Sequence, residues 1–299
     1  MGSKRFTPAK LDRFDREGRG TGAYEGYVPY HQVRRGDPSS LGRSHLLVLD
    51  DRIRELLSDG ELGTQYFVLM LLGLDDSLEQ YRLDLVSHPH ALAAYYERDT
   101  AVLYPGTLQL AEELGMKHPM VHGGGDSAPW RATTDFVVIL RLPRQPRKLI
   151  AVAFKPSGCL ERRRTRELLC LEREFWLRQG EEWLLITPDQ FDKRVRLTLC
   201  RTAAWALDDQ VSAEERQLAK AIVNRRQGDS LTELLDVIAG ELHSLRRAQA
   251  ALWQAVWKGE LPVDLRRGWR PYAALDHISE EDFWSLNPIA SRRSAWTST

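Results

Sequence analysis

The chain carries TDFVVIL at residues 134–140 and IAVAFKP at residues 150–156, and the segment between them contains Pro143 and Pro146. The first stretch is apolar and rich in β-branched residues beyond its acid, and the second is apolar up to its lysine. Two short runs of this kind, separated by a connector that contains prolines, are typical of neighbouring β-strands. The sequence therefore predicts a sheet in which these two stretches lie side by side.

Two charged residues stand at opposite ends of these predicted strands. Asp135 lies at the head of the first strand and Lys155 lies near the tail of the second. If the strands pair antiparallel, both charges fall at the same end of the sheet. An acid and a lysine that converge in this way are typical of metal-dependent nucleases, which hold a divalent cation and orient an attacking water. The alternative is structural: Asp135 caps the strand and Lys155 extends its ammonium group into solvent.

The sequence on either side contains further short motifs in a fixed order. They are Arg16-Glu17-Gly18-Arg19-Gly20, Tyr27-Val28-Pro29-Tyr30, Pro38-Ser39-Ser40-Leu41-Gly42-Arg43-Ser44-His45, Leu56-Leu57-Ser58-Asp59-Gly60-Glu61, Gly115-Met116-Lys117-His118-Pro119, Thr133-Thr134-Asp135-Phe136, Val152-Ala153-Phe154-Lys155-Pro156 and Leu171-Glu172-Arg173-Glu174-Phe175-Trp176. This ordered set resembles the TnsA family, the endonuclease subunits of heteromeric DNA transposases. The resemblance covers the first two thirds of the chain, and the last third resembles the family only loosely.

The resemblance implies an activity, a cofactor and a set of partners. The implied activity is metal-dependent hydrolysis of the 5′ strands at transposon ends, with Mg²⁺ as the cofactor and Mn²⁺ as a substitute. The implied protein partners are the transposase subunit TnsB, which cuts and joins the 3′ ends, and the ATPase regulator TnsC. Two alternatives stay open: a stand-alone restriction or repair nuclease with the same chemistry, and a structural subunit that kept the fold and lost its activity.

The resemblance also places a further acid, Glu61, in the catalytic set with Asp135 and Lys155. Carboxylate oxygens are the ligands that Mg²⁺ and Mn²⁺ prefer. Glu61 has a structural interpretation as well, because Ser58-Asp59-Gly60-Glu61 is a capping box in which Glu61 bonds back to the Ser58 amide. A carboxylate that binds a metal is less available to such a cap, so the two roles compete.

Ala153 departs from the pattern that the resemblance implies. The wider nuclease superfamily has an acid at this position and the TnsA relatives have a glutamine, whereas alanine has no side-chain donor for a metal. Three alternatives follow. The site uses a backbone oxygen, notably the carbonyl of Phe154, a ligand has migrated to another element, or the enzyme is weakened.

Glu172 is the candidate for a migrated ligand or additional acid. At helical spacing it falls within the apolar arc of its predicted helix, whereas the neighbouring charged residues fall outside that arc. A buried carboxylate must be paired or bind a metal, because unpaired burial is costly. The alternatives are a metal ligand and a buried ion pair with an arginine, for which Arg164 is the nearest candidate.

The composition limits the class of protein. The chain has 299 residues, 42% of them hydrophobic, which is enough for a packed core. Its 42 basic residues balance 42 acidic ones, which argues against strong non-specific DNA affinity of this subunit alone and favours targeting by partners. The three cysteines, Cys159, Cys170 and Cys200, show no metal-ligand spacing and fit a reducing compartment. Because no apolar run is long enough to span a bilayer and the N-terminus lacks a signal-peptide core, the sequence predicts a soluble cytoplasmic protein.

An α/β fold in two domains is expected. Residues 1–190 are predicted to form a nuclease domain with an extended arm over residues 1–45, and the resemblance implies a restriction-endonuclease-like mixed sheet for this domain. Residues 191–299 are predicted to form a helical, winged-helix-like domain that docks a partner or DNA, because its helices are followed by a turn and a predicted strand at 261–265. Further strands are expected at residues 46–50, 83–86 and 183–187, and helices at 59–72, 91–98, 108–114, 162–179, 213–224 and, with an interruption near Gly240, 231–257.

Overall fold

The computed structural model describes residues 6–34, 37, 43–49, 52–95 and 102–296, which form two compact units. The first unit consists of the described residues up to Leu62, of Gly73–Thr187 and of Trp296. The second unit consists of Gly63–Leu72 and Pro188–Ala295. The second unit therefore includes a short segment from far up the chain, which the division expected near residue 190 did not include.

The named strands of the described residues all lie in the first unit. They are β1 His45–Leu49, β2 Arg52–Leu56, β3 Leu74–Arg82, β4 His88–Pro89, β5 Leu103–Tyr104, β6 Met120–Gly123, β7 Asp126–Pro129, β8 Thr133–Leu140, β9 Lys148–Phe154 and β10 Glu182–Ile186. A mixed sheet has the strand order β10-β9-β8-β3, while β1 with β2, β4 with β5 and β6 with β7 form two-stranded sheets. The strands predicted near residues 46–50, 134–140, 150–156 and 183–187 are confirmed; Asp50 lies outside the described residues.

The α-helices of the described residues run along most of the chain. They are α1 Pro8–Arg16, α2 Asp59–Leu69, α3 Thr107–Glu113, α4 Arg163–Arg178, α5 Lys193–Ala206, α6 Ala213–Arg225, α7 Leu231–Leu242, α8 Leu245–Trp257 and α9 Glu280–Ser285. The predicted helices are confirmed except near residues 91–98, where Ala91–Tyr95 is a 3₁₀ turn and the last three residues lie outside the described part. None of the helices in the part of the chain that the structure describes is long and apolar enough to cross a membrane.

The two central strands, β8 and β9, are buried along almost their whole length, which is why their sequence is so apolar. β8 runs antiparallel to β3 on one side and to β9 on the other, so neither central strand has a free edge. β10 runs parallel to β9, and parallel neighbours need a crossover connection. Helix α4 supplies that crossover and buries Phe175 and Trp176.

The strand predicted at residues 83–86 is wrong, and β3 ends just before it. The sequence of β3, LDDSLEQYR, is polar and shows no clear strand pattern. Its central residues are nonetheless buried, and the buried charge of Glu79 is balanced by a bidentate ion pair with Arg52 of β2. The two guanidinium nitrogens lie 2.7 and 2.9 Å from the two carboxylate oxygens of Glu79.

The N-terminal segment contains a helix, so the expectation of an extended arm over residues 1–45 is wrong for the part that α1 occupies. Thr7 caps α1 with its side chain, and Pro8 takes the first helical position, where its missing N–H costs nothing. Helix α1 buries Phe14, whose ring packs edge-on against the ring of Tyr30 at 5.4 Å between centroids. The beginning of the chain therefore has an apolar core of its own.

The second unit is mainly helical, as expected. Helix α8 is its most buried helix and places Trp253 and Trp257 in the interior. The interruption predicted near Gly240 lies slightly later, since His243 takes a left-handed φ of 53° and Ser244 caps α8 with its side chain. The chain thus turns between α7 and α8 at a residue that ends one helix and a residue that begins the next.

The strand predicted at residues 261–265 is wrong. Val263 forms only an isolated bridge with His277. A 3₁₀ turn, Leu265–Arg267, begins directly after Asp264, whose carboxylate caps it. The resemblance to a winged helix therefore rests on the helices alone and stays a prediction.

Candidate active site

The acid of β8 and the lysine that follows β9 meet at one end of the central sheet. The pairing of the two strands ends at Phe136 and Val152. Just beyond this pair, Asp135 Oδ2 accepts a hydrogen bond from the Phe154 backbone N–H at 2.7 Å. The same oxygen lies 2.8 Å from Lys155 Nζ. The structure therefore brings together the two charges that the strand pattern placed at one end of the sheet.

The ammonium group of Lys155 bridges two acceptors at this end of the sheet. It donates to Asp135 and also to the carbonyl oxygen of Phe154 at 2.9 Å. Burial opposes the charge on the lysine, but the carboxylates of Asp135 and Glu172 outweigh it and raise the pKa of Lys155 above its ordinary value. Lys155 therefore stays protonated at neutral pH, and its contacts differ from those of a lysine that only extends into solvent.

Glu61 lies in the first turn of α2 and is held by four hydrogen bonds. Its Oε2 atom accepts from the Leu57 backbone N–H at 2.8 Å and from Gln80 Nε2 at 2.9 Å. Its Oε1 atom accepts from Ser58 Oγ at 3.2 Å, and its own N–H donates to Ser58 Oγ at 3.1 Å. The predicted cap is therefore altered, because the carboxylate reaches back to Leu57 instead of to the Ser58 amide.

A close approach of backbone to an aromatic ring brings the start of α2 near the end of β9. A Cβ atom at Gly60 would collide with the ring of Phe154, so a larger residue fits at this position only if that ring moves. Gly60 directly precedes Glu61 in the helix. Gly60 therefore allows the first turn of α2, which carries Glu61, to pack against the end of β9. Asp135 lies beside that end on β8.

The charge of Asp135 acts on the neighbouring acid Glu61. Burial, and then the negative charge of Asp135, raise the pKa of Glu61 to about 7. The hydrogen bond from Leu57 and the positive charge of Lys155 act in the opposite direction. A buried carboxylate whose charge is disfavoured by a second carboxylate nearby is stabilised when a cation binds between them.

Glu172 is buried in α4, as its position in the apolar arc predicted. Its Oε1 atom accepts a hydrogen bond from Trp183 Nε1 at 3.3 Å. Burial raises the pKa of Glu172 to about 7, and Lys155 opposes that rise. The candidate arginine for a buried ion pair with Glu172, Arg164, does not form that pair, since it contacts Glu167 at 3.0 Å near the surface.

Ala153 lies in β9 directly before Phe154 and is fully buried. Its partner across the parallel pair is Leu185, and it follows the last paired residue of the β8–β9 ladder, Val152. Continuing the register by one residue sets Ala153 opposite Asp135. Position 153, next to Asp135, thus carries no side-chain oxygen.

The donor atoms that converge here suit a hard divalent cation. The carboxylates of Glu61 and Asp135 and the carbonyl of Phe154 offer oxygen only, the donor type that Mg²⁺ and Mn²⁺ prefer. In the described ranges, however, no group of three or more histidine, cysteine, aspartate or glutamate residues is arranged to hold a metal ion. The site fits such an ion with two carboxylates and a backbone oxygen.

One residue of this site carried no sequence signal. Gln80 lies within the polar strand β3, and nothing in its neighbourhood marks it as functional in the sequence. Only the three-dimensional structure shows that its amide reaches Glu61.

Two comparisons with known proteins show to which family this chain belongs. Residues 93–188 match the family model described as TnsA-like endonuclease N terminal. The chain is also 31% identical over 215 residues to the transposon Tn7 transposition protein TnsA of Escherichia coli, an alignment that spans 70% of this chain and 67% of that protein. The chain belongs to the TnsA-like endonuclease family. Asp135, Phe154, Lys155 and Glu172 lie inside the matched range, whereas Glu61 precedes it.

Family membership confirms the resemblance stated on the motifs, and with it the fold class. The mixed sheet of the TnsA-like domain, with β10 returning parallel to β9 through α4, is restriction-endonuclease-like. Nucleases of this fold generally use divalent metals, and the oxygen donors at the end of β8 and β9 accord with that chemistry.

Proposed function

We propose that this chain is a metal-dependent DNA endonuclease that cuts the 5′ strands at transposon ends as a subunit of a heteromeric transposase. The observation that carries the proposal is the meeting of Asp135 and Lys155 at 2.8 Å at the end of the central ladder. Membership of the TnsA-like family supports the biological setting. The similarity to a Tn7 transposition protein supports DNA at the transposon ends as the substrate.

Glu61, Asp135 and the carbonyl oxygen of Phe154 would hold Mg²⁺, with Mn²⁺ as a substitute. When bound, the cation supplies positive charge that lowers the pKa of an attacking water and stabilises negative charge on the phosphate. Glu172 is proposed as an additional acid of this site, because the charges of Lys155 and Asp135 both affect its pKa.

Lys155 has a defined part in this proposal. Since its pKa lies above the ordinary value, it acts as a hydrogen-bond donor and not as a general base. Its Nζ atom carries three N–H groups, of which two point to Asp135 and Phe154. The remaining N–H is available to orient the attacking water or to stabilise charge on a phosphate oxygen.

The partners proposed for this chain are DNA, the transposase subunit TnsB and the ATPase regulator TnsC. The near-zero net charge supports dependence on partners, because a protein without excess positive charge binds the DNA backbone weakly by itself. The nuclease domain is proposed to lie within residues 1–190. The helical region 191–299 is proposed to dock a partner or flanking DNA in the cytoplasm.

The test is the variant Asp135→Ala in a reaction that contains end DNA, Mg²⁺ and the TnsB-type and TnsC-type partners. We expect 5′-strand cleavage to fall by more than about 100-fold, because losing even an outer partner of a metal ligand costs about 10- to 100-fold. Asp126→Asn, in an exposed position of the β6–β7 hairpin, is the matched control and should cut normally. If Asp135→Ala cleaves at the wild-type rate, the assignment of this site as the active site is refuted.

A second candidate function is a structural subunit that has lost activity. Ala153 favours it, because the position beside Asp135 offers no side-chain oxygen and the described residues hold no cluster of three possible metal ligands. The same experiment separates the two functions. A wild-type protein that assembles with its partners on end DNA but never cuts the 5′ strand would be the structural subunit.

A further inference from the structure

Gln80 has an unusual backbone conformation for a residue in a strand. Its φ is 52°, in the left-handed region that residues other than glycine rarely enter. The residue is 2% exposed. A buried residue held in such a conformation costs free energy and persists only where the surroundings over-determine it, and such positions cluster at functional sites.

The surroundings of Gln80 link three parts of the first unit. On either side of it in β3, Glu79 pairs with Phe136 and Tyr81 pairs with Thr134, so the register sets Gln80 opposite Asp135. The carbonyl oxygen of Gln80 accepts a hydrogen bond from the Tyr30 backbone N–H at 3.2 Å.

The side chain of Gln80 reaches from this strand to the acid of α2. Its Nε2 atom lies 2.9 Å from Glu61 Oε2. The other groups that hold the Glu61 carboxylate, the Leu57 N–H and the Ser58 hydroxyl, come from the chain directly before it. Gln80 is therefore the partner that ties this carboxylate to the sheet and so to the strand register of Asp135.

We propose that Gln80 is a positioning residue, which fixes the Glu61 carboxylate relative to Asp135 so that the two acids can share one cation. This inference rests on the proposed function. An ionised carboxylate only accepts hydrogen bonds, so the amide presents its N–H₂ group to Glu61. Ala153, opposite Asp135 on β9, has no polar side-chain atom, whereas Gln80, opposite Asp135 on β3, has a side-chain amide.

The decisive variant is Gln80→Met, which keeps the length of the side chain and removes the amide. We expect the affinity for Mn²⁺, measured by titration of the DNA-free protein, to fall by about 10- to 100-fold, as is typical when a partner of a metal ligand is lost. The Mg²⁺ concentration that gives half-maximal cleavage should rise by a similar factor. The rate at saturating Mg²⁺ should stay within a few-fold of the wild type, because Glu61 itself is still present.

Two further variants complete the test: a second one that removes the amide and a matched control. Gln80→Gly removes the same amide and suits the left-handed backbone, which offsets part of the stability lost with the buried side chain, and it should also bind Mn²⁺ weakly. Gln109→Met is the matched control, because Gln109 also donates its amide to a glutamate, Glu113, at 2.9 Å, but on the exposed surface of α3. This control should bind Mn²⁺ and cut DNA as the wild type does.

The outcomes separate this inference from the proposed function. If the wild type binds Mn²⁺ and Asp135→Ala does not, while folded Gln80→Met and Gln80→Gly bind it normally, Gln80 has no positioning role and the proposed function stands. If the wild type neither binds Mn²⁺ nor cuts end DNA, the proposed function fails and the inference fails with it. Weak Mn²⁺ binding by both Gln80 variants, each shown to be folded at the assay temperature, supports the positioning role.

Discussion

Replacing Glu172 with glutamine should stabilise the protein at alkaline pH and damage its cleavage activity. Glu172 is 5% exposed, and Trp183 Nε1 donates a hydrogen bond to its Oε1 atom. Glutamine has nearly the same shape and keeps a carbonyl oxygen that accepts this hydrogen bond. The change therefore removes the charge of residue 172 and leaves its packing in place.

The expected gain follows from the pKa of Glu172, which burial raises from 4.5 to about 7. A raised pKa means that the folded protein binds a proton that the unfolded chain has already lost. Stability therefore falls as the pH rises from 4.5 to 7, and the full penalty is present above pH 7. At 1.36 kcal/mol per pKa unit, this penalty is about 3 kcal/mol. Attraction to Lys155 is already included, since it opposes the rise in pKa.

The assay compares the free energy of unfolding of Glu172→Gln and the wild type in metal-free buffer at pH 5 and pH 8. The two proteins should differ little at pH 5, and the variant should be more stable by up to about 3 kcal/mol at pH 8. Its cleavage in Mg²⁺ should nonetheless fall at least 10-fold, as expected for an acid of the metal site. Glu174→Gln, two residues along the same helix and paired with Arg173, is the control and should change neither quantity appreciably.

The opposite pattern would refute this reasoning. A buried ion pair that serves only structure loses about 3–5 kcal/mol when one partner is removed. If Glu172→Gln is destabilised by that amount at pH 8 and cuts DNA at a near-normal rate, Glu172 is a structural partner of Lys155. In that case Glu172 does not compensate for the missing side-chain oxygen at Ala153.

Two further predictions concern the residues around the main acids. Ala153→Gln should keep or raise cleavage and Mn²⁺ affinity, at a cost of about 1–3 kcal/mol from overpacking a fully buried position; loss of Mn²⁺ binding by the folded variant, measured by titration, would contradict the site geometry. Ser58→Ala removes the hydroxyl that accepts from the Glu61 N–H and should lower the free energy of unfolding by about 1 kcal/mol. Its cleavage rate should stay within a few-fold of the wild type, because Leu57 and Gln80 still hold Glu61; a loss as large as that of Asp135→Ala would show that the cap itself is essential.

The sequence predicted the centre of the fold well, because burial on both faces of a strand leaves a long apolar pattern. The strands that hold Asp135 and Ala153 show this pattern, and the charged residues at their ends stand out against it. Antiparallel pairing then brings Asp135 and Lys155 together, which needs only the register of two adjacent strands. The burial of Glu172 could also be predicted from the sequence, because the periodicity of a long helix separates its apolar face from its polar face.

Other parts of the site and the fold could not be predicted from the apolar pattern of the sequence. Strand β3 was missed because its polar residues are buried by specific partners, such as Arg52 for Glu79, and not by apolar neighbours. Gln80 was missed with it, because a left-handed backbone in a strand has no signature in a single sequence. The strand at residues 261–265 was predicted from apolar residues, but Asp264 caps a tight turn there.

The segment Gly63–Leu72 gives the protein a discontinuous domain, with a consequence for synthesis on the ribosome. Within that unit the ring of Tyr66 packs edge-on against Trp257, and the carbonyl oxygen of Phe67 accepts a hydrogen bond from Asn287. At about 5–20 residues per second, these partners emerge on the order of ten seconds or more after the segment itself. The nascent chain must therefore leave the apolar side chains of this segment uncovered until Trp257 and Asn287 have been synthesised. Because residues of the first unit lie between the two parts of the second, the second unit can close only after the strands of the first unit have been synthesised.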